Sequence, residues 1–221
     1  MRRAFFAVLV ALIPMLGTLK PATAQTVDDS IPALTSRAQK GNADAQFYLG
    51  LEYEFGLGVP QNHAEAVKWY RLAADQGHAS AQLNLGFMYN NGQGVPQNHA
   101  EAVKWYRRAA DQGWASAQFN LGVMYDNGQG VPQNHAEAVK WYRLGADQGN
   151  ADAQFNLGAM YRVGRGVPQN HVLAHMWYNL AGAQGNSEAL KNQDRLASTM
   201  TSARIAEALR LAAQWQRKGQ P

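Results

Sequence analysis

Six histidines are the side chains that most invite a chemical role in this 221-residue chain. His63, His99, His135 and His171 recur at a spacing of 36 residues. A zinc ion needs its nitrogen ligands at about 2.0–2.1 Å. Neighbouring helices pack with axes about 8–10 Å apart, so equivalent positions separated by two helices cannot share one ion. A structural role near a helix start is the expectation for these four. His171 and His175 are spaced i, i+4 and fall on one face of a helix. A catalytic zinc takes three protein ligands, and neither a third ligand nor a His-Glu-x-x-His motif accompanies the pair. They read as helix-surface or packing histidines.

Nucleophilic chemistry has less support still. The chain has no cysteine, which excludes disulfides, thiolate metal sites and a cysteine nucleophile. Ser80 and Ser116 lie close to helix starts, where serine serves capping, and no Gly-x-Ser-x-Gly elbow occurs. Gly92 and Gly94 belong to a loop pattern repeated four times with no strand before it, unlike a phosphate cradle. The expectation is a protein that is not an enzyme and holds no cofactor or metal.

The elements behind these positions form a repeat. Val-Pro-Gln-Asn-His begins at Val59, Val95, Val131 and Val167, which defines units 42–77, 78–113, 114–149 and 150–185. Units two and three agree at 30 of 36 positions. A fixed period of this length marks a solenoid. Each unit reads as two helices. In unit two, Ala81, Leu85, Met88 and Tyr89 make one apolar stripe at helical spacing, then Ala102, Trp105, Tyr106, Ala109 and Ala110 make a second. The Asn91–Gly94 segment and Pro96 break the pattern between them. Gly113 suits the left-handed position that ends the second helix. Asn62 with Glu65, Asn98 with Glu101 and Asn134 with Glu137 are spaced as capping boxes; the fourth unit has Asn170 with Leu173. Gly50, Gly86, Gly122 and Gly158 fall mid-helix, where glycine costs about 0.5–1 kcal/mol relative to alanine. Close backbone approach to the helix bearing Trp69, Trp105, Trp141 and Trp177 is the expected reason, with the tryptophans in the core.

The ends differ from the repeats. Residues 1–24 are patterned as a secretory signal: Arg2 and Arg3, an apolar run from Ala4 to Leu16, then Ala22-Thr23-Ala24 as a cleavage site. Removing it takes away Arg2, Arg3 and Lys20 but no acid, so Lys+Arg falls from 20 to 17 against 16 Asp+Glu, and the charge from +4 to about +1. That nearly neutral chain lacks the basic footprint of a nucleic-acid binder, and it carries no membrane span once the signal is gone. Residues 25–41 read as a linker and N-terminal cap helix. Residues 186–221 read as a C-terminal helical cap, with helices near 187–197 and 202–216, Thr201 as a cap, and Ile205, Leu209, Ala212 and Gln216 on the apolar side.

The patterns Ala-Gln-x-Asn-Leu-Gly-x-Met-Tyr, Gly-x-Gly-Val-Pro and Ala-Val-Lys-Trp-Tyr resemble the Sel-one-like repeat, a relative of the tetratricopeptide repeat. The resemblance covers 42–185. It implies an all-α, right-handed α/α solenoid of four 36-residue helix-turn-helix repeats with helical caps, used as an adaptor or scaffold, with some bacterial members periplasmic or secreted. Disulfide-stabilised secreted members have a proposed penicillin-binding or hydrolysing activity; they carry paired cysteines, which this chain lacks.

A solenoid presents a concave face lined by the first helix of each repeat. Beside the core stripe of those helices runs a second stripe at positions three, seven, ten and fourteen of each unit. It contains Tyr48, Asn84, Phe87, Asn91, Asn120, Val123, Asn127 and Asn156. Asparagine offers both donor and acceptor, which suits an extended peptide; amides at Asn84, Asn120 and Asn156 equally suit satisfying groups within the repeat. Trp114 replaces Asn or His at the start of its unit and reads as an exposed anchor, tryptophan being enriched in binding hot spots. The expected function is an exported, periplasmic or secreted adaptor for a protein or peptide. The alternatives are a secreted effector that binds a host protein, and a hydrolase on cell-wall or β-lactam substrates.

Overall fold

The structure is a computed structural model and describes residues 30–218; the signal segment and the start of the linker lie outside them. Eleven helices occupy the described residues, with no strand among them. They are α1 (Ile31–Gln39), α2 (Ala43–Phe55), α3 (His63–Asp75), α4 (Ala79–Asn91), α5 (His99–Asp111), α6 (Ala115–Asn127), α7 (His135–Asp147), α8 (Ala151–Val163), α9 (His171–Ala183), α10 (Ser187–Ala197) and α11 (Ser202–Lys218). Each helix from α1 to α9 packs on the next in sequence, and α11 packs back on α9. The chain is therefore a one-dimensional stack in which each unit contacts its neighbours.

Helix geometry follows the sequence pattern closely. Ala81, Leu85 and Met88 of α4 are buried, as are Ala102, Tyr106, Ala109 and Ala110 of α5. The mid-helix glycines face the expected helix, where the nearest atoms belong to a tyrosine ring, joined at Gly158 by the Ala174 carbonyl. A Cβ on Gly86 would stand 2.6 Å from Cδ1 of Tyr106, and one on Gly122 would stand 2.6 Å from Cδ1 of Tyr142. Removing the methyl lets the tyrosine lie flat on the helix. The tryptophans divide: Trp105 and Trp177 are buried, whereas Trp69 and Trp141 are half-buried. Trp141 packs against the core of units two and three with one side of its ring covered by Arg107, which lies 5.5 Å over it and donates to the Tyr125 hydroxyl.

Helix ends are fixed as the sequence indicates, with two differences. Asn62, Asn98, Asn134 and Asn170 each accept from the backbone N–H three residues on. The glutamates turn forward to lysine, pairing Glu65 with Lys68, Glu101 with Lys104 and Glu137 with Lys140. Ser80 and Ser116 are not the caps; the residues two positions earlier, His78 and Trp114, occupy the N-cap sites. Gly113 takes φ +88° after α5, and the Trp114 N–H returns to the Ala109 carbonyl, which closes the helix as expected.

A device the sequence reading passed over stitches the units together. Gln82 is buried; its Nε2 donates to the Ala74 carbonyl at 3.0 Å, while its Oε1 accepts from Gln112 Nε2 at 2.8 Å. The same clamp recurs at Gln46–Gln76, Gln118–Gln148 and Gln154–Gln184. It adds a second hydrogen bond to a helix-end carbonyl that already accepts from a glycine N–H, as Ala74 does from Gly77, and so ties that helix end to the next helix. Leu190 stands at the corresponding position of α10, so the clamp stops where the stack stops. In α11 the inward side is Ala208, Leu211, Ala212 and Trp215, and Leu209 is 43% exposed. The stripe is rotated from the expected one because Trp215 meets Trp177 edge-on at 6.0 Å, which sets the helix's roll. Thr201 sits at the start of α11, with its hydroxyl 3.4 Å from the Arg204 N–H.

Candidate functional site

The second stripe separates into exposed apolar side chains and partly engaged amides. Tyr48 is 54% exposed, Phe87 46% and Trp114 42%. Phe55 and Val163 extend this set at the ends of α2 and α8. Val123 is partly buried against the core of units three and four. Asn91 and Asn127 are exposed at the ends of α4 and α6, while Asn84, Asn120 and Asn156 are half-buried. The Asn84 amide hydrogen-bonds the Tyr70 hydroxyl, and the Asn156 amide hydrogen-bonds the Tyr142 hydroxyl. Two rungs of the asparagine ladder therefore already serve buried tyrosines of the preceding unit, whose hydroxyls burial pushes well above their ordinary pKa. Phe87, Phe55 and Val163 are instead left largely exposed.

Trp114 is distinguished by what it gives up. Asn42, His78, Asn150 and Asn186 begin their helices with a side-chain bond to the backbone N–H three residues on, at 2.7, 3.2, 2.8 and 2.9 Å. Trp114 occupies the same N-cap backbone conformation and makes no side-chain cap bond. Forgoing such a cap costs about 1 kcal/mol, and the residue installed is a large, exposed aromatic.

The histidines take structural positions. Nδ1 of His99 meets Asn90 Oδ1 at 3.1 Å, and Nδ1 of His135 meets Asp126 Oδ1 at 2.8 Å. Both contacts tie the end of a first helix to the start of its partner. Among the described residues no group of three or more His, Asp or Glu is arranged to hold a metal ion, and no helix there is long and apolar enough to cross a membrane. His175 is 2% exposed beneath the cap, and its Nδ1 has no hydrogen-bond partner. Burial pushes its pKa below the ordinary 6.5, with Asp194 opposing. Burial likewise lowers His78, which stacks on Phe47 at 4.7 Å. As pH falls, the unfolded chain protonates these rings before the folded one does, so folding stability is complete above about pH 6.5 and declines below it. Thermal unfolding of His175→Leu is expected to lose less Tm than the native chain between about pH 7 and pH 5. Parallel Tm profiles would remove His175 as a source of the acid sensitivity.

An all-α stack of 36-residue hairpins, carrying an exposed apolar stripe on its first helices, defines a helical-repeat scaffold. The Sel1 repeat matches residues 43–78, 79–114, 115–150 and 151–186, and the chain belongs to that family. Sel1 repeat proteins are protein-interaction scaffolds. A protective antigen of uropathogenic Escherichia coli strains with an SLR fold superposes with a TM-score of 0.76 at 41% identity, over 85% of this chain and 40% of that one. A Sel1 repeat protein from Oxalobacter formigenes superposes with a TM-score of 0.71 at 35% identity, over 86% of this chain and 75% of that one. A 49-residue stretch, 22% of this chain, is 43% identical to the ERAD-associated E3 ubiquitin-protein ligase component HRD3A of Arabidopsis thaliana, of which it spans 7%. The chain thus covers less than half the length of the first and last of these proteins.

Proposed function

We propose that the chain is an exported adaptor, periplasmic or secreted, that binds a protein or peptide along the concave face lined by its first helices. The observation that carries the binding surface is Trp114: an uncapped helix start bearing an aromatic side chain 42% exposed. Phe87 and Tyr48, exposed on the second stripe of the first helices of the two preceding units, add further apolar surface. Aromatic side chains of this kind supply most of the energy at protein interfaces, while asparagines such as Asn91, Asn120 and Asn127 offer a peptide both donors and acceptors. Export rests on the residue pattern of positions 1–24.

Trp114→Asn separates binding from folding, because asparagine is the capping residue at this position in units one and four. The variant is expected to gain about 1 kcal/mol of stability from the restored cap. Its partner recovery in a pull-down from periplasm or culture medium is expected to fall about tenfold or more, the loss typical of a hot-spot aromatic. Undiminished recovery by the more stable variant would move the binding surface elsewhere. Fractionating cells into cytoplasm, periplasm and medium tests the export half directly.

A further inference from the structure

Unit four departs from the other three at the junction of its two helices. Position thirteen of the first three units is an acceptor. Glu54 accepts a hydrogen bond from the Tyr70 hydroxyl, Asn90 pairs with His99, and Asp126 pairs with His135. Arg162 fills this position in unit four, and Arg165 stands three residues on where units two and three have Gln93 and Gln129. The acid of units one and three, and the neutral amide of unit two, thereby give way to a cation. His171, the counterpart of His99 and His135, has a cation at the end of the preceding helix in place of an acceptor.

These changes border a cavity of about 500 Å³ between unit four and the cap. Arg162 enters it from the end of α8, His171 from the start of α9, and Arg195 from α10, with Gln169 and Asn192 between them. No acidic side chain lines it. Neither Arg162 nor Arg195 has a carboxylate partner among the described residues. Arg162 touches the Tyr178 hydroxyl, and the Gln169 amide holds the Arg162 carbonyl at 2.8 Å, which fixes the loop beneath the guanidinium. The first turn of α9 adds its own positive end to the same wall.

We propose that this cavity is an oxyanion site that takes a phosphate group. Guanidinium groups bind oxyanions through paired, charge-assisted hydrogen bonds. A carboxylate spends both oxygens on one guanidinium, whereas a phosphate keeps further acceptor oxygens for a second cation arriving from another direction. Arg162, His171 and Arg195 reach the same space from three different helices, and a tetrahedral anion can accept from several directions at once. The site stands apart from the partner-binding proposal, since it is read out on the isolated protein with a small anion.

The test is thermal unfolding of the purified chain in inorganic phosphate, phenyl phosphate or acetate at matched ionic strength. Phosphate also stabilises proteins by exclusion from their surface, so the readout is the difference between the native chain and its variants. Arg162→Asn installs the unit-two residue, and Arg195→Gln removes the second guanidinium. Circular dichroism confirms that each is folded. The native chain is expected to gain Tm in phosphate in a saturable manner, and either variant to require about tenfold more anion for the same gain. Equal gain in native chain and both variants, or no gain in the native chain, would overturn the site. An equal gain with acetate would overturn its assignment to phosphate. A larger gain with phenyl phosphate than with the inorganic ion identifies a phosphomonoester as the source of the group; an equal or smaller gain identifies the free ion.

Discussion

Gly130→Ala is expected to destabilise the solenoid by about 3–5 kcal/mol, read as a Tm lower by about 10 °C. Two effects add. Gly130 sits at φ +72°, where an L side chain is strained by about 1–2 kcal/mol. A Cβ there would also press inside 3.0 Å of the His99 carbonyl group and the Ala100 nitrogen. Those atoms are backbone at the start of α5, in the preceding unit, and cannot rotate aside. Gly94 meets His63 and Gly166 meets His135 in the same way, so each loop is seated on the helix start one unit earlier. Gly113→Ala is the control. Gly113 has φ +88° but nothing within 4 Å of an added Cβ, so its cost is the conformational strain alone. Equal losses at Gly113 and Gly130 would show that loop seating contributes nothing to the stack.

This contrast shows what the sequence carries and what it hides. The 36-residue phase, the Asn caps and the apolar stripes place ten helices from α1 to α10 nearly to the residue, because local patterning and repetition both report the same hairpin. Contacts between units are less legible, since their partners lie in another unit, 8 residues away for Gln82 and Ala74 and 18 for Arg107 and Tyr125, and nothing in one unit names them. The Gln82–Gln112 clamp is visible as a repeated glutamine, yet its meaning depends on the Ala74 carbonyl of the unit before. The roll of α11 escaped for a related reason. Its apolar residues allow two stripes, and only the tertiary partner Trp177 selects the one bearing Trp215. At the candidate surface, exposure of Tyr48, Phe87 and Trp114 was readable from their register. The engagement of Asn84 and Asn156 with tyrosines of the preceding unit was not, because an amide's partner is not encoded in its own repeat.

Gly86→Leu is the second large effect, expected at about 3 kcal/mol or more of destabilisation. Helix propensity alone predicts the opposite, since replacing a mid-helix glycine with a good helix former gains up to about 1 kcal/mol. Packing overrides it. Even the Cβ would stand 2.6 Å and 2.7 Å from Cδ1 and Cε1 of Tyr106, and that tyrosine is 2% exposed within the core between units two and three. The ring has no empty space to enter. At the equivalent Gly122 the displaced ring would be Tyr142, whose hydroxyl is held by Asn156 of the next unit, so strain there crosses a unit boundary. A double-mutant cycle isolates the contact. Gly122→Ala is expected to destabilise the native chain and to be neutral or stabilising in a Tyr142→Ala background, where the ring atoms it strikes are gone and only helix propensity remains. Loss of the same size in both backgrounds would mean that the glycines answer to some demand other than the tyrosines laid across them.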